Sequence, residues 1–219
     1  MRPDLSALLG AQGQVLGQVV HWQRYAVVPL HVLDPEAMTT LTLLAADGTP
    51  VRVAGASVLA IDAAADQVLL RLPAGSRAAD PGPAPPWAAA ATASALNPAS
   101  AAPGAASAGA AVLVHAVFPA YGPGGGLRTS QAAVRQVVAV RRHQYRAASG
   151  ACILTQDVLA LFLSAPFAPG WSGSPVCRAD SGAVIGFIHG NASANGANGV
   201  CLLAADNSPV RRLACTLPH

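Results

Sequence analysis

Between Pro73 and Ala110 the chain loses its apolar periodicity, and Pro, Ala, Gly and Ser take over. This is linker composition, unable to pack a core of its own. Trp87 is the one aromatic residue inside it and a candidate anchor to a neighbouring surface. The break divides the 219 residues into two halves, each of which must build its core from the runs it contains. The domain reading is therefore residues 1–72, a linker over 73–110, and residues 111–219.

Both halves are filled with short apolar runs. In the first, Gln14 to Val20, Arg24 to Leu30 and Thr39 to Ala45 read as strands, with β-branched residues recurring. Asp47-Gly48 is a hairpin turn signal, and Val51 to Leu59 is the expected return strand. In the second half, Ala111 to Phe118 is strand-like, Gly122 to Gly126 is a loop, and Thr129 to Arg142 reads as one or two strands. Cys152 to Thr155, Val158 to Ser164, Ser174 to Arg178, Ala183 to His189 and Gly199 to Ala204 follow as short strands. Turns fall at Asp180-Ser181-Gly182 and over Asn191 to Asn198. Asn207-Ser208-Pro209 has the polar cap and first-turn proline of a helix start, with Val210 to Leu213 as its body. Strands at intervals of about 8–12 residues with little helix predict an all-β barrel architecture.

Hydrophobic residues make up 53% of the chain and charged residues 11%. Much of the apolar share is alanine, so the core is smaller than that figure implies. The net charge of +3 is mild and does not call for nucleic acid as a partner. Arg135, Arg141, Arg142, His143 and Arg146 form a local basic cluster. A solvated strand edge or loop is the expected reading, and a basic groove for an acidic substrate or RNA is its alternative. No unbroken apolar run reaches about 18 residues, so no membrane-spanning helix is expected. Met1-Arg2-Pro3-Asp4 lacks the layout of a secretory signal, which points to an intracellular chain or one released from a larger precursor. Cys152, Cys177, Cys201 and Cys215 show no C-x-x-C spacing, which argues against zinc. Cys177 and Cys201 fall in runs that could be neighbouring strands and are the pair to check for a disulfide.

Three stretches carry chemistry. Pro169-Gly170-Trp171-Ser172-Gly173-Ser174-Pro175 sets a serine between glycines. Such a loop can turn tightly, push a hydroxyl outward and aim backbone N–H groups at one point. Tyr25-Ala26-Val27-Val28 runs through Pro29-Leu30 into His31. Asp66 leads straight into the strand Gln67-Val68-Leu69-Leu70-Arg71-Leu72, with Asp62 four residues earlier.

Together these resemble the serine, histidine and aspartate motifs of chymotrypsin-fold serine proteases. The likeness is greatest to glutamyl endopeptidases and Deg/HtrA-type protease domains, with some similarity to sobemovirus-like viral proteases. The order His31, Asp66, Ser172 is that family's order and differs from subtilisin and α/β-hydrolases. The break at 73–110 also falls between the aspartate and the serine, where a double-barrel protease joins its halves. Pro29-Leu30 departs from the small residue or asparagine usual before the histidine.

The resemblance implies two six-stranded antiparallel β-barrels with a closing C-terminal helix. It implies a serine endopeptidase acting on protein or peptide substrates, with no metal or cofactor. Ser172 would be the nucleophile, His31 the base and Asp66 the acid, with Asp62 as second choice. The N–H groups of Gly170 and Ser172 would form the oxyanion hole. Trp171 cannot make the aspartate ion pair of trypsin-type zymogens, so activation by that route is not expected.

In Val184-Ile185-Gly186-Phe187-Ile188-His189, a histidine sits one residue later than the family's specificity-pocket histidine. A one-residue slip turns a strand side chain to the other face. Either a bulge restores His189 to the pocket, with Glu or Gln preferred before the cleaved bond, or Ile188 lines it and the preference is apolar. Two further readings stand beside the enzyme: a non-catalytic binding module on a protease fold, and an unrelated all-β binding protein. His21, His115, His143 and His219 lie in no motif and read as core or surface residues.

Overall fold

Strand follows strand through both halves, with one short helix at the end. In the computed structural model, the described residues are 4–33, 38, 40–76, 87, 111–120, 125–146, 150–166, 168–190, 199–202 and 208–217. Most of the linker, the turn at 191–198, Asn207 and His219 lie outside them.

The first half forms β1 (Asp4–Leu9), β2 (Val15–Trp22), β3 (Tyr25–Pro29), β4 (Thr40–Leu44), β5 (Pro50–Ala54), β6 (Ser57–Asp62) and β7 (Gln67–Arg71). They make one antiparallel sheet in the order β5-β4-β1-β2-β3-β7-β6, curled as a half-barrel. Its concave face holds Leu8, Val19, Ala26, Val28, Leu41, Leu43, Val68 and Leu70.

Two local details differ from the sequence reading. β1 pairs with β2 from Asp4–His21 onward and with β4 at Leu8–Leu43, yet its sequence Asp-Leu-Ser-Ala-Leu-Leu contains no β-branched residue. Its strand state comes from its neighbours rather than from propensity. The expected return strand over 51–59 is two strands, because Gly55 turns the chain at φ +80° between β5 and β6.

The second half forms β8 (Val112–Pro119), β9 (Leu127–Arg146), β10 (Cys152–Leu163), β11 (Pro175–Arg178), β12 (Val184–Gly190) and β13 (Gly199–Leu202). They close into a barrel in the order β10-β13-β12-β11-β8-β9. Val114, Val134, Val137, Leu159, Leu161, Val176, Ile185 and Ile188 fill it. β9 is continuous over 20 residues and stays in register with β10 from Arg146–Cys152 to Gln136–Phe162, with a shift at Leu163. The expected breaks near 142 and 156 do not occur. There the two strands stay paired as an arm, and the exposed arginines of β9 do not interrupt the ladder. The arginines at 135, 141, 142 and 146 are exposed along β9.

The helix α1 (Pro209–Ala214) starts as the sequence predicts, with the Ser208 hydroxyl accepting from Arg211 N–H and Pro209 in the first turn. Val210 and Ala214 bury against a cluster holding Trp22, Tyr25, Leu69, Cys177, Val184 and Phe187, drawn from both halves. Trp87 joins this cluster from the linker: it bridges to Val184 and its ring lies 5.7 Å from Phe187. Cys177 and Cys201 are not joined in a disulfide. β12 separates their strands, so they are not the expected neighbours. Burial pushes the Cys177 thiol up to about 12 and raises Cys201 as well, leaving both inert. Among the described residues, no helix is long and apolar enough to cross a membrane.

Candidate functional site

Three separate elements deliver His31, Asp66 and Ser172 to the junction of the two sheets. β3 ends at Pro29 and passes into a single 3-10 turn, Leu30–Val32, that carries His31. β6 and β7 are joined by a turn over 63–66. Asp62 shapes it by accepting from Ala65 N–H at 3.0 Å, and Asp66 closes it at φ +56°. Aspartate tolerates this left-handed conformation better than most side chains. The Asp66 backbone carbonyl accepts from Leu30 N–H at 3.0 Å and its Oδ1 from His31 N–H at 2.8 Å. The Pro29-Leu30 departure is thus accommodated: the aspartate's own backbone and side chain hold the turn that bears the histidine.

The side chains then meet in sequence. His31 Nδ1 lies 2.5 Å from Asp66 Oδ2, and His31 Nε2 lies 3.1 Å from Ser172 Oγ. Asp66 rather than Asp62 faces the imidazole. Asp66 is 3% exposed, whereas His31 and Ser172 are only partly buried, so a substrate can reach the serine and not the carboxylate. Burial alone would raise the Asp66 carboxyl. Hydrogen bonds from His189 and His31 outweigh it and hold the group below its ordinary value, so it is an anion at neutral pH.

Ser172 rides on a loop held by the other half of the chain. Gly170 and Gly173 have φ of +90° and +80°. Ser172 O accepts from Gln18 N–H at 2.6 Å, and Gly173 N–H donates to Ile188 O at 2.6 Å. The Trp171 ring turns the other way, into the second barrel's core, 6.0 Å from Phe118. The N–H groups of Gly170 and Ser172 have no intramolecular acceptor among the described residues.

Gln18 carried no motif, yet it ties the halves together. Its Nε2 donates to Gly170 O at 2.8 Å and Val117 O at 3.1 Å, and its Oε1 accepts from Val117 N–H at 2.8 Å. It is fully buried. The available signal was a lone amide in the apolar run of β2. Gln18→Leu strands three polar groups, each orphaned group costing about 1–3 kcal/mol. The expected result is a lowered melting temperature, read by calorimetry, together with looser placement of the Ser172 loop.

The register of β12 against β13 shifts between Ile188 and Gly190, a bulge at His189. Ile188 is 1% exposed within the second barrel's core. His189, at that bulge, turns to the junction of the two sheets. There its Nδ1 lies 2.6 Å from Asp66 Oδ2, the oxygen that also meets His31. The two imidazole centroids are 4.6 Å apart. Tyr145 and His143, from the β9 arm, pack on the His189 ring at 4.1 and 5.2 Å. Tyr145 donates its hydroxyl to Ala63 O at 2.8 Å, and burial together with the Asp66 charge raises its pKa, so it stays protonated.

The donor atoms of His31, Asp66 and His189 lie within 4.8 Å of one another, a spacing open to a metal ion. As placed, however, the ring nitrogens touch Oδ2 at direct hydrogen-bond lengths, with no gap for an ion between them. A second Ser–His pair, Ser6 Oγ and His21 Nε2 at 2.5 Å, is sealed inside the first sheet. Burial lowers His21 to about 4, and neither group is accessible to a substrate. His115 is also buried, as a core residue.

No protein-family model and no curated protein sequence matches the chain. Solved structures do. The active form of the Rv3671c protease from M. tuberculosis is 22% identical, with 92% of this chain and 76% of that chain covered at a TM-score of 0.55. The MamO protease domain from Magnetospirillum magneticum is 12% identical, with 100% and 97% covered at 0.57. A tobacco etch virus protease is 12% identical, with 98% and 78% covered at 0.55. The chain has a chymotrypsin-like serine protease fold.

Proposed function

We propose that the chain is a serine endopeptidase working through His31, Asp66 and Ser172. The observation that carries this reading is the pair of contacts on one imidazole: Nε2 to Ser172 Oγ at 3.1 Å and Nδ1 to buried, ionised Asp66 at 2.5 Å. With its proton on Nδ1, held by the carboxylate, His31 presents a lone pair to the serine. A serine hydroxyl is a poor nucleophile at neutral pH, and this lone pair removes its proton as oxygen attacks a peptide carbonyl. The imidazolium formed is stabilised by Asp66 and returns the proton to the leaving amine, which departs as the acyl-enzyme forms. Water, activated by the same base, then releases the acid and restores the serine.

The oxyanion falls to the N–H groups of Gly170 and Ser172, each such donor being worth about 3–4 kcal/mol in the transition state. Because His189 is engaged by Asp66, a small apolar preference before the cleaved bond fits the site better than recognition of Glu or Gln by that imidazole. A peptide library tests this preference.

The test of the mechanism is labelling with a fluorophosphonate probe. Wild type labels; Ser172→Ala loses labelling outright, and His31→Ala reduces it by several orders of magnitude while the fold melts normally. Equal labelling of all three proteins would sink the reading.

A further inference from the structure

His189 is bound to two members of the centre and belongs to neither motif. Its imidazole Nδ1 meets Asp66 Oδ2 at 2.6 Å. Its backbone carbonyl accepts from the Ser172 hydroxyl at 3.2 Å, competing with His31 Nε2 at 3.1 Å for one hydrogen. It is buried, so this imidazole is not a surface group that happens to swing inward.

The proton count fixes how this arrangement works. Asp66 Oδ2 is a carboxylate oxygen with hydrogen-bond neighbours from two imidazoles, and Oδ1 takes the His31 backbone N–H. An anion can accept from both rings only if both carry their proton on Nδ1. His31 is then left with a free lone pair on Nε2, as a base requires. We propose that His189 is a positioning residue of this centre, donating its Nδ1–H to the same oxygen as His31 and thereby orienting Asp66 and coupling the protonation of the two imidazoles. The inference rests on the protease reading of Ser172 and His31.

The coupling follows from charge. One imidazolium beside Asp66 is neutralised by it. Two, with centroids 4.6 Å apart on one carboxylate, are not. A proton on His189 therefore opposes the proton that His31 must take from Ser172. Among the described residues, the groups facing His189 are few. Asp66 and His31 lie on one side, Ser172 at its carbonyl, and Tyr145 and His143 of β9 on the ring. Tyr145 stays protonated. Burial and then the His189 charge lower His143, against a smaller opposing pull from Asp66, so it is a neutral wall rather than a second cation.

Two substitutions separate donation from titration. His189→Asn places an amide N–H near the Nδ1 position and cannot take up a proton. His189→Leu removes both properties. In His189→Leu, kcat falls about 10- to 100-fold, the range for losing a hydrogen bond to a charged group, with KM little changed. In His189→Asn, kcat recovers, and the acid limb of the pH–rate profile moves to lower pH because one of two inhibitory protonations is gone.

A readout independent of turnover comes from the Ser172→Ala protein. It shows two far-downfield imidazole N–H resonances, and the added His189→Asn change removes one. A Leu variant with wild-type kcat and acid limb overturns the inference. So does an Asn variant whose only change is in KM or cleavage preference, since that makes His189 a substrate contact. A wild type that keeps both resonances but never labels with the probe overturns the enzyme reading itself, and with it any catalytic role for His189.

Discussion

Asp66→Asn lowers kcat by roughly four orders of magnitude, the scale found when an amide replaces the aspartate of such a triad. The cause is the hydrogen on the amide. Asp66 accepts at both oxygens, from His31 N–H at Oδ1 and from two imidazoles at Oδ2. An asparagine has one acceptor oxygen and one NH2 group. If the oxygen keeps the backbone N–H of His31, the NH2 faces both rings. His31 must then accept on Nδ1 and carry its proton on Nε2, pointing a donor at Ser172 where a base needs a lone pair. The protein still folds and the nucleophile remains, so the catalytic loss appears in kcat and in probe-labelling rate rather than in expression.

Acid denaturation gives the same substitution a second reading. Asp66 is held below its ordinary value in the folded protein. The stability it contributes is complete above the unfolded carboxyl value of about 3.9. It is lost as pH falls through the lower folded value. Wild type and Asp66→Asn should therefore differ in melting temperature at neutral pH and converge toward the acid end. A constant difference across that range would mean that the ionised carboxylate does not stabilise the fold.

Much of this centre could be read from the chain because its parts are local. The serine loop, the histidine after an apolar strand and the aspartate before another each sit within a few residues, and their order selects one arrangement. What was not legible depends on partners distant in sequence. β1 is a strand because β2 and β4 flank it, not because Asp-Leu-Ser-Ala-Leu-Leu favours one. Gln18 matters through Val117 and Gly170, 99 and 152 residues away. His189 had a signal, since the one-residue offset was visible. Which face it took depended on a register shift against β13, which no local pattern specifies. Tyr145 and His143 reach the site only because β9 continues beyond the point where its polar residues suggested an end.

The other large effect belongs to a backbone position. Gly173→Ala should abolish probe labelling and destabilise the protein by about 3 kcal/mol or more, combining a left-handed residue's cost with overpacking. Gly173 has φ +80°, which disfavours any Cβ. Space is the harder limit. An added Cβ would lie 2.4 Å from Gln18 O and 2.7 Å from Pro29 Cδ. The first is backbone of β2 and the second a rigid ring at the end of β3, so neither can rotate aside. Both strands also set the site: β2 accepts the serine loop through Gln18, and β3 delivers His31. Relief of the overlap must push the Ser172 loop away from the first sheet, stretching the 2.6 Å bond from Gln18 N–H to Ser172 O and the 3.1 Å contact between Ser172 and His31. At about 2–4 °C per kcal/mol for a chain of this size, the melting temperature should drop by roughly 6–12 °C. A Gly173→Ala protein that melts and labels like wild type would show that the two sheets do not clamp the loop at this point.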